Sequence, residues 1–434
     1  MAEMTGKESL PGLAEQISGQ AYLLSHLLKK DSTVGPSLAS SAPTEQHTSN
    51  AIDIEKVKEN IFGLTKKLAR LLHGPRSYLH EYVGSNWEHG ALYAVLEFNV
   101  LENIPLDGEA HVSQLAAKSG ILEDKLLKIL RLIACEQIVE ETSERMFRHT
   151  DISTELVQDK DFKAFIGFQL FETRVASAHL ADALRREKEY WKEMSAFNYS
   201  WGAPMYEWHR AHPEKGSRFE SAMRSVTETL DPGNKLFDDW FKANQVDETK
   251  LIVHVGGHDS QTAELLVKNF PTLRFEIQND SPRALEKGQK ELTPELSERI
   301  TFVRRDIFKP RPVSEAEYVG VYLLRNVLWK MDDKDCIKLL QSFVPVLEKS
   351  NQVFLLVNEV LSPAPRTFEP HVEQAYRRRD VTLMTMHNAK QRTEQEWRDL
   401  ITGVNPHFKV DVVKGYTSHS SRGLWTVRWD ARSS

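Results

Sequence analysis

Apolar residues recur every three or four positions near the start of the chain, which predicts an amphipathic helix over 11–30. Its apolar stripe consists of Leu13, Ile17, Leu24 and Leu28. The next stretch, 31–50, is rich in Ser, Thr, Ala and Pro and has no apolar period, so it is predicted to be a flexible linker. A helix held apart in this way must bury its stripe either on its own domain or on a second subunit, and the sequence favours neither.

Helical periodicity returns over 51–73, and three further helices are predicted at 87–101, 111–120 and 122–137. Two short alternating segments, Ile138–Glu141 and Met146–Thr150, flank a polar turn and indicate a hairpin. Three helices followed by a hairpin predict a winged-helix domain. Positive charge on one face of its third helix is compatible with DNA reading, but a solvated face is the favoured interpretation because the chain is acidic; the residues are Lys125, Lys128 and Arg131.

Residues 151–245 are mostly helical and rich in aromatic side chains, which belong to the core or line an apolar cavity. After Asp247 short apolar runs alternate with helices. Strands are predicted at 251–255, 274–278, 300–304, around 318–324 and at 353–360, and helices at 259–269, 282–290 and 333–347. This alternation predicts a parallel, doubly wound sheet of the α/β class. A helix at 393–402 then precedes an antiparallel pair of strands, 408–415 and 423–429.

Composition narrows the choice of partners. The 434 residues include 56 Lys and Arg against 62 Asp and Glu, a net charge of −6 that argues against nucleic acid as the main partner. Cys135 and Cys336 stand far apart, so neither a disulfide framework nor a metal site is predicted. The sequence shows no signal peptide and no apolar run of about 20 residues, so we expect a cytoplasmic protein without a membrane partner.

Three of the predicted strands end in residues suited to holding a nucleoside. Gly256-Gly257 follows the first strand, where a ligand can approach the bare backbone, although two glycines alone equally indicate a tight turn. The second strand ends at Asn279-Asp280, where an acid is placed to bind a ribose diol, and Asp306 follows the third. Because the carboxyl ends of parallel strands meet at one edge of the sheet, these residues predict a nucleoside cleft.

Several longer runs resemble plant and fungal caffeate-type O-methyltransferases: RNVLWKMDD at 325–333, NEVLSP at 358–363, MHNAKQRT at 386–393 and RDIF at 305–308. The resemblance covers nearly everything after residue 51. It implies an N-terminal all-α winged-helix dimerisation domain and a C-terminal doubly wound, Rossmann-like methyltransferase domain, in a homodimer. The expected divisions are 1–50 for the first helix and linker, 51–165 for the winged helix and 166–434 for the methyltransferase-like domain. Arg325 is then expected among the cofactor-binding residues.

The chain departs from this family at the cofactor site. The family's first strand ends in an acid and three glycines, whereas here the acid is His254 and the third glycine is His258. A later glycine is Ser260, and the ribose-binding acid falls on Asn279. These changes weaken the expectation that S-adenosylmethionine binds, without excluding it. A bound cofactor is expected not to be consumed, and no metal is expected.

The family's catalytic base is also missing. Its His falls on Trp329, and the two Glu residues that hold the His fall on Glu359 and Gln391. An indole N–H donates a hydrogen bond but cannot accept a proton, and general-base catalysis is worth roughly 10²–10⁴-fold in rate. Lys330 stands where the family has an Asp. The change indicates either a divergent methyltransferase in which Trp329 fills space, or a new activity in the old pocket.

The second interpretation resembles the fungal methyltransferase-like pericyclases, which include leporin-type, Alder-ene and hetero-Diels–Alder members. These enzymes dehydrate 2-pyridone alcohols to quinone methides and steer the ring closure, with a cation on the substrate carbonyl. The resemblance implies that Lys330 is this cation, with Trp329 and Glu359 beside it. His149 is expected either to assist dehydration or to be structural.

The expected substrate contacts are Gln391, His387, Met223 and Thr227. Two alternatives stay open. One is an S-adenosylmethionine-dependent O-methyltransferase with an altered base, acting on a small aromatic metabolite. The other is a non-catalytic binding protein on the same fold.

Overall fold

The computed structural model describes residues 8–30, 51–189, 194–230, 234–244, 246–247, 249–257, 260–416 and 421–431. The linker predicted at 31–50 lies outside these ranges. The described chain divides into two compact units. The helical unit is drawn from Met1–Ala178, Tyr206–Glu228 and Phe368–Val372, and the sheet unit from His179–Met205, Thr229–Thr367 and Glu373–Ser434.

The elements follow one another along the described chain with short connections. The α-helices are α1 (Leu10–Lys30), α2 (Ala51–Glu97), α3 (Val112–Ser119), α4 (Glu123–Cys135), α5 (Asp151–Gln158), α6 (Lys160–Phe168), α7 (Arg174–Ala178), α8 (Leu180–Glu189), α9 (Ala196–Trp201), α10 (Met205–Ala211), α11 (Pro213–Leu230), α12 (Asn234–Asn244), α13 (Gln261–Asn269), α14 (Pro282–Glu291), α15 (Pro294–Ser297), α16 (Asp333–Gln341), α17 (Val344–Lys349), α18 (Pro370–His387) and α19 (Glu394–Val404). The strands are β1 (Glu109–His111), β2 (Val139–Ser143), β3 (Met146–His149), β4 (Leu251–Val255), β5 (Arg274–Asn279), β6 (Ile300–Arg304), β7 (Val319–Arg325), β8 (Phe354–Val360), β9 (Phe408–Tyr416) and β10 (Ser421–Trp429).

The helical unit begins with α1 packed on α2 of the same chain, which buries Leu13 and Leu28. α2 is broken at Gly74, which has φ 65° and ψ 176° and precedes Pro75. Proline lacks the N–H that a continuous helix would use, and glycine adopts positive φ without a side-chain clash. The prediction of a helix at 87–101 was wrong at both ends. The helical turns of α2 resume directly after the break at Gly74 and end at Glu97.

The predicted hairpin is confirmed in β2 and β3, and β1 pairs with β3 to complete an antiparallel three-stranded sheet. Arg145 takes φ 65° in the hairpin turn, and Gly120 takes φ 73° at the end of α3. On the basic face of α4, Arg131 pairs with Glu141 at 2.8 Å, which favours the solvated-face interpretation. The order of helices and strands is that of a winged helix.

The sheet unit has the predicted α/β class, with a seven-stranded sheet of order β6-β5-β4-β7-β8-β10-β9. The strands from β4 to β8 are parallel, and β10 runs antiparallel to both β8 and β9. The chain moves outward from β4 through β5 and β6, then returns to place β7 on the other side of β4. Ligands bind such sheets at this switch point, outside the carboxyl ends of the strands.

Every residue of β7 is buried, as expected of a strand that is covered on both faces. One side of the sheet packs on residues of α16, α17 and α19, among them Leu339 and Trp397. The other side packs on α12 and α13 through Trp240 and Leu266. Across the described residues, no helix is both long and apolar enough to cross a bilayer.

Candidate active site at the carboxyl edge of the sheet

The turn after β4 requires glycine. Gly256 has φ 77°, and a Cβ at this position would lie 3.0 Å from a methyl group of Val327, in the loop after β7. Its backbone N–H donates to the Gln278 carbonyl at 2.7 Å, which ties the ends of β4 and β5 together. The close neighbour of this bare backbone is thus a side chain from the β7 loop, and the approach of a ligand to the turn stays a prediction. His258 lies outside the described residues.

Asn279 closes the end of β5 over the same turn. Its amide Nδ2 donates to the Gly257 carbonyl at 2.8 Å, and its Oδ1 accepts the N–H of Ser281 at 2.9 Å. A carboxylate at this position could not donate to Gly257, so the local structure selects an amide. The neighbouring Asp280 is exposed. After these bonds, Asn279 has one acceptor lone pair left, whereas a free carboxylate can accept from both hydroxyls of a ribose diol. At the diol end of the site, Asn279 therefore offers fewer acceptors to a ribose than a carboxylate would.

Asp306 and Arg325, the other predicted cofactor residues, serve local structure. Asp306 is exposed and its carboxylate accepts the N–H of Phe308 at 3.0 Å, which closes its own turn. Arg325 is buried, with its guanidinium 5.0 Å from the centre of the Phe237 ring. Their assignment to a cofactor stays a prediction.

The loop after β7 carries Trp329 and Lys330 in a short 3₁₀ turn, Leu328–Lys330. Glu359, on the adjacent strand β8, has no solvent exposure. Its Oε1 accepts the N–H groups of Val327 at 2.8 Å and Leu328 at 2.7 Å. Glu359, predicted to lie beside Lys330, accepts its hydrogen bonds from the backbone of the loop that carries Lys330.

Burial raises the pKa of Glu359 to about 7, although the two backbone N–H groups and then Arg422 and Arg392 act in the opposite direction. Desolvation of a carboxylate favours its neutral form, and the surrounding donors only partly offset this. The carboxyl group therefore titrates near neutral pH.

Trp329 is committed to the same loop. Its only side-chain N–H donates to the carbonyl of Asn326 at 2.8 Å, and its ring meets that of His387 edge to face, with centroids 5.9 Å apart. Gln391 is buried, and its side-chain amide makes no hydrogen bond within the described part of the chain. Lys330 is half-buried. Trp329, which the resemblance assigns to the position of the family's base, thus offers no proton acceptor.

Two buried arginines next to this loop were not predicted from the sequence. Arg392 donates to the Asp333 carboxylate at 2.6 Å and to the Met331 carbonyl at 3.0 Å. Arg422, on β10, donates to the side-chain oxygen of Asn326. A charged residue on a terminal strand is usually solvent-facing, so only the sheet order could have indicated this contact.

A cavity of about 380 Å³ opens beside the loop, lined among others by Met331, Asp333, Asp380, Met384 and Lys390. Trp329 and Lys330 are not among its lining residues. Within the described ranges, no group of three His, Cys, Asp or Glu residues has the arrangement of a metal site.

The remaining predicted residues belong to the helical unit. His149 is buried, with Nδ1 2.9 Å from the Ser153 hydroxyl and Nε2 3.1 Å from the Ile104 carbonyl. Burial lowers its pKa, so the ring is neutral and both nitrogens serve the winged helix. This supports the structural alternative for His149. Met223 is half-buried on α11, and the side chain of Thr227 lies outside the described ones.

Comparison with known proteins agrees with this architecture. A family model described as O-methyltransferase domain matches residues 177–405. O-methyltransferase phnC of Penicillium herquei is 45% identical, over 92% of this chain and 95% of the relative. The structure of LepI with SAM has a TM-score of 0.72 at 16% identity, covering 96% of this chain and 100% of that one. A structure described as a pericyclic reaction enzyme has a TM-score of 0.71, with the same identity and the same coverage. At such identity the two structures establish the fold alone.

Proposed function

The chain belongs to the O-methyltransferase family, and within this family we propose that it is a pericyclase of fungal secondary metabolism rather than a methyltransferase. The observation that carries the proposal is Trp329. By the resemblance it stands at the position of the family's base, and its only side-chain N–H donates to the Asn326 carbonyl at 2.8 Å. Removing a phenolic proton from a methyl acceptor needs a base that this side chain cannot supply.

The proposed substrate is a 2-pyridone alcohol with an acidic ring hydroxyl. Because this ring hydroxyl is acidic, its proton is lost to solvent without an enzymic base. Hydroxide then leaves the carbinol carbon and is protonated by solvent, so that one water is released in total and a quinone methide remains. A hetero-Diels–Alder closure then redistributes electrons within the molecule, and an Alder-ene closure also moves an allylic hydrogen from one part of the molecule to the other; neither needs an external group donor. Such a step needs a shaped apolar cavity and a donor on the carbonyl where negative charge develops.

Lys330 is proposed to be that donor, because it follows Trp329 at the carboxyl edge of the sheet. The ring of His387, perpendicular to that of Trp329, adds a second aromatic surface for a planar substrate. Glu359 fixes the loop by accepting two of its backbone N–H groups. Gln391, Met223 and Thr227 remain proposed substrate contacts, and no step is assigned to His149.

S-adenosylmethionine, where it binds, is proposed not to be consumed in this reaction. The amide of Asn279 donates to Gly257 where the resemblance places a carboxylate, so the diol end of the site offers fewer acceptors to the cofactor. We therefore expect weak binding, and no step depends on it.

A second candidate is methyl transfer with a different base. It is favoured by the phnC relative, which is named an O-methyltransferase, and by Glu359, whose pKa of about 7 is suitable for a general base. Glu359 has no solvent exposure, so a substrate would have to displace the loop to reach it.

To decide between the two candidates, the purified protein is assayed for two activities in parallel. One uses radiolabelled S-adenosylmethionine with a panel of phenols and hydroxypyridones; the other uses a 2-pyridone alcohol without cofactor. We expect dehydration and a biased ratio of cyclised products, and no methylation above the rate without enzyme. Sustained methyl transfer to any acceptor would favour the second candidate.

A further inference from the structure

Asn326 lies where β7 ends and the loop that carries Trp329 and Lys330 begins. Its φ is 54°, in the left-handed region of backbone space. Residues with a Cβ avoid this region, although asparagine enters it more readily than most because its short polar side chain can hydrogen-bond nearby. The conformation of Asn326 therefore carries a cost that its contacts must offset.

Three hydrogen bonds hold Asn326 in this conformation. Its backbone N–H donates to the carbonyl of Asn358, on β8, at 3.2 Å. Its side-chain oxygen accepts a hydrogen bond from Arg422, on β10. Its backbone carbonyl accepts the indole N–H of Trp329 at 2.8 Å. A single residue thus joins two neighbouring strands of the sheet to the ring that stands, by the resemblance, at the position of the family's base.

The left-handed backbone of Asn326 sets the direction of the bond to the indole. Because β8 holds the N–H of Asn326, rotation about φ decides where the carbonyl of the same residue points. With a negative φ this carbonyl would point in another direction. The indole has only one N–H, so it has no second way to make the same bond. The orientation of Trp329 therefore follows from the backbone conformation of Asn326.

This orientation matters because Trp329 and Lys330 share one 3₁₀ turn, Leu328–Lys330. Glu359 fixes the loop through backbone N–H groups, and the bond to Asn326 adds a constraint on a side chain of the turn. The ring of His387 meets the indole edge to face, with centroids 5.9 Å apart. A rotated indole would change this aromatic corner and the surroundings of the neighbouring ammonium group.

We propose that Asn326, held in place by Arg422, is a positioning residue that orients Trp329 and Lys330 and thereby decides which ring closure the substrate undergoes. The consequence for ring closure rests on the proposed function, whereas the orientation of the indole is measurable without substrate. Asn326 acts through the two side chains and contacts no reacting atom. Displacement of a positioning group by about 1 Å can cost about a hundred-fold in rate, so a small rotation is enough to favour one closure over another.

The indole N–H of Trp329 reports this geometry directly. In the full-length protein, isotopically labelled at its tryptophan indole nitrogens, the resonance is assigned by its loss in Trp329→Phe, and its hydrogen exchange is measured without ligand. Asn326→Ala should speed the exchange about ten-fold, because the new Cβ disfavours the left-handed region and the acceptor for Arg422 is lost. Asn326→Asp keeps the acceptor and tolerates the conformation, so it should exchange as slowly as the unsubstituted protein.

Two further variants separate the backbone from the side chain. Asn326→Gly tolerates a positive φ but has no acceptor for Arg422, so its exchange rate should lie between those of Asn326→Ala and the unsubstituted protein. Arg422→Met should have a similar effect on the indole. Combining the two should add little, because each removes the same contact.

Asn99→Ala is the matched control. Asn99 also has a left-handed backbone, with φ 48°, and its side-chain oxygen also accepts from a cation, Lys163, at 2.9 Å. It lies in the helical unit. Asn99→Ala should lower the melting temperature, as Asn326→Ala should, but leave the exchange of the Trp329 indole unchanged. This comparison separates positioning from a general loss of stability.

The same variants are then assayed with a 2-pyridone alcohol. Asn326→Ala should change the ratio of Alder-ene to hetero-Diels–Alder product and lower kcat by up to about a hundred-fold with little change in KM, since positioning acts on the transition state. Asn326→Asp should restore both the ratio and kcat, and Asn99→Ala should alter neither.

Unchanged indole exchange in Asn326→Ala would overturn the positioning role. Faster exchange with an unaltered product ratio and kcat would also overturn it, because the bond would then be structural. If the unsubstituted protein converts no pyridone alcohol, the proposed function fails, and the exchange series alone still decides whether Asn326 orients Trp329.

Discussion

Lys330 is the residue on which the proposed reaction depends most. If its ammonium donates to the substrate carbonyl, Lys330→Ala should lose about 2.7–4 kcal/mol of transition-state stabilisation, as removal of one oxyanion donor does. Lys330→Met keeps the aliphatic stem and should be almost as damaged, whereas Lys330→Arg keeps the charge and should retain part of the activity. The measurement is rate and product ratio with a quinone-methide precursor. Lys334→Ala, an exposed lysine on the following helix, is the control. A Lys330→Ala enzyme with unchanged rate and ratio would show that the cation is a bystander.

Glu359 gives the protein a distinctive pH dependence of stability. Its folded-state pKa is raised from about 4.5 to about 7, so its contribution to stability is present below pH 4.5 and is lost as the pH rises through 7. A shift of this size corresponds to about 3 kcal/mol. Glu359→Gln keeps an oxygen for the N–H groups of Val327 and Leu328 but cannot ionise. We therefore expect the variant to gain about 2–3 kcal/mol relative to the unsubstituted protein between pH 5 and pH 8.

Urea unfolding at both pH values measures this difference. Glu348→Gln, an exposed carboxylate on α17, should follow the unsubstituted protein at both pH values. Parallel pH curves for the unsubstituted protein and Glu359→Gln would mean that Glu359 has an ordinary pKa.

Single residues also show which features of the site could be predicted from the sequence and which could not. The resemblance located Trp329, Glu359 and Gln391 because each has a fixed place in a motif. It could not show that Glu359 holds a loop backbone, since a motif names a residue but not its hydrogen-bond partners. Arg422 belongs to no motif, and Asn326, whose side-chain oxygen accepts a hydrogen bond from it, lies 96 residues earlier in the chain. Only the fold brings them together.

At the scale of elements, the end of β5 depends on an amide. Asn279→Asp would leave the Gly257 carbonyl without its donor and place a negative charge against it, so we expect a loss of about 1–3 kcal/mol in the free energy of unfolding. Denaturant unfolding at neutral pH is the measurement. Asp280→Asn changes the exposed neighbour and should have little effect. An Asn279→Asp variant as stable as the unsubstituted protein would show that the turn does not require the amide. Tight binding of S-adenosylmethionine by this variant would show that Asn279 alone weakens the cofactor site.

The alternation of short apolar runs with helices predicted the bounds of most elements of the sheet unit closely. β4 and β6 have the predicted bounds, and the final antiparallel pair of strands is confirmed. The pattern failed where a helix is interrupted without a change in periodicity. The helix predicted at 333–347 is two helices, α16 and α17, because Pro345 lies in the first turn of α17, where its missing N–H is tolerated. The helical turns that follow Gly74 were not predicted, because their apolar residues face outward and no inward-facing apolar stripe marks them.

At the scale of the whole molecule, those outward-facing residues predict a second subunit. Tyr78, Leu79, Tyr82, Val83 and Trp87 follow one another on successive turns of α2, and Trp87 is 72% exposed. Large contiguous apolar patches are uncommon on monomers and usually mark an interface. The same helix packs its other face into the core of the helical unit through Val95 and Leu96. We therefore expect a homodimer in which the outer stripe of α2 is buried against a second copy of the chain, over more than about 2,000 Å² in total.

Two charges on this stripe should separate the subunits. The double variant Leu79→Glu and Val83→Glu would place four carboxylates in one symmetric interface, where desolvation and repulsion outweigh the remaining apolar contacts. Light scattering at micromolar concentration should give a dimer for the unsubstituted protein and a monomer for the variant. Leu122→Glu is the matched control, because Leu122 is a comparably exposed leucine (64%) elsewhere in the helical unit, and it should remain dimeric. Circular dichroism should show unchanged helix content in the double variant, since both residues are solvent-facing within the chain. A monomeric unsubstituted protein would refute the dimer, and a double variant that stays dimeric would place the interface on another surface.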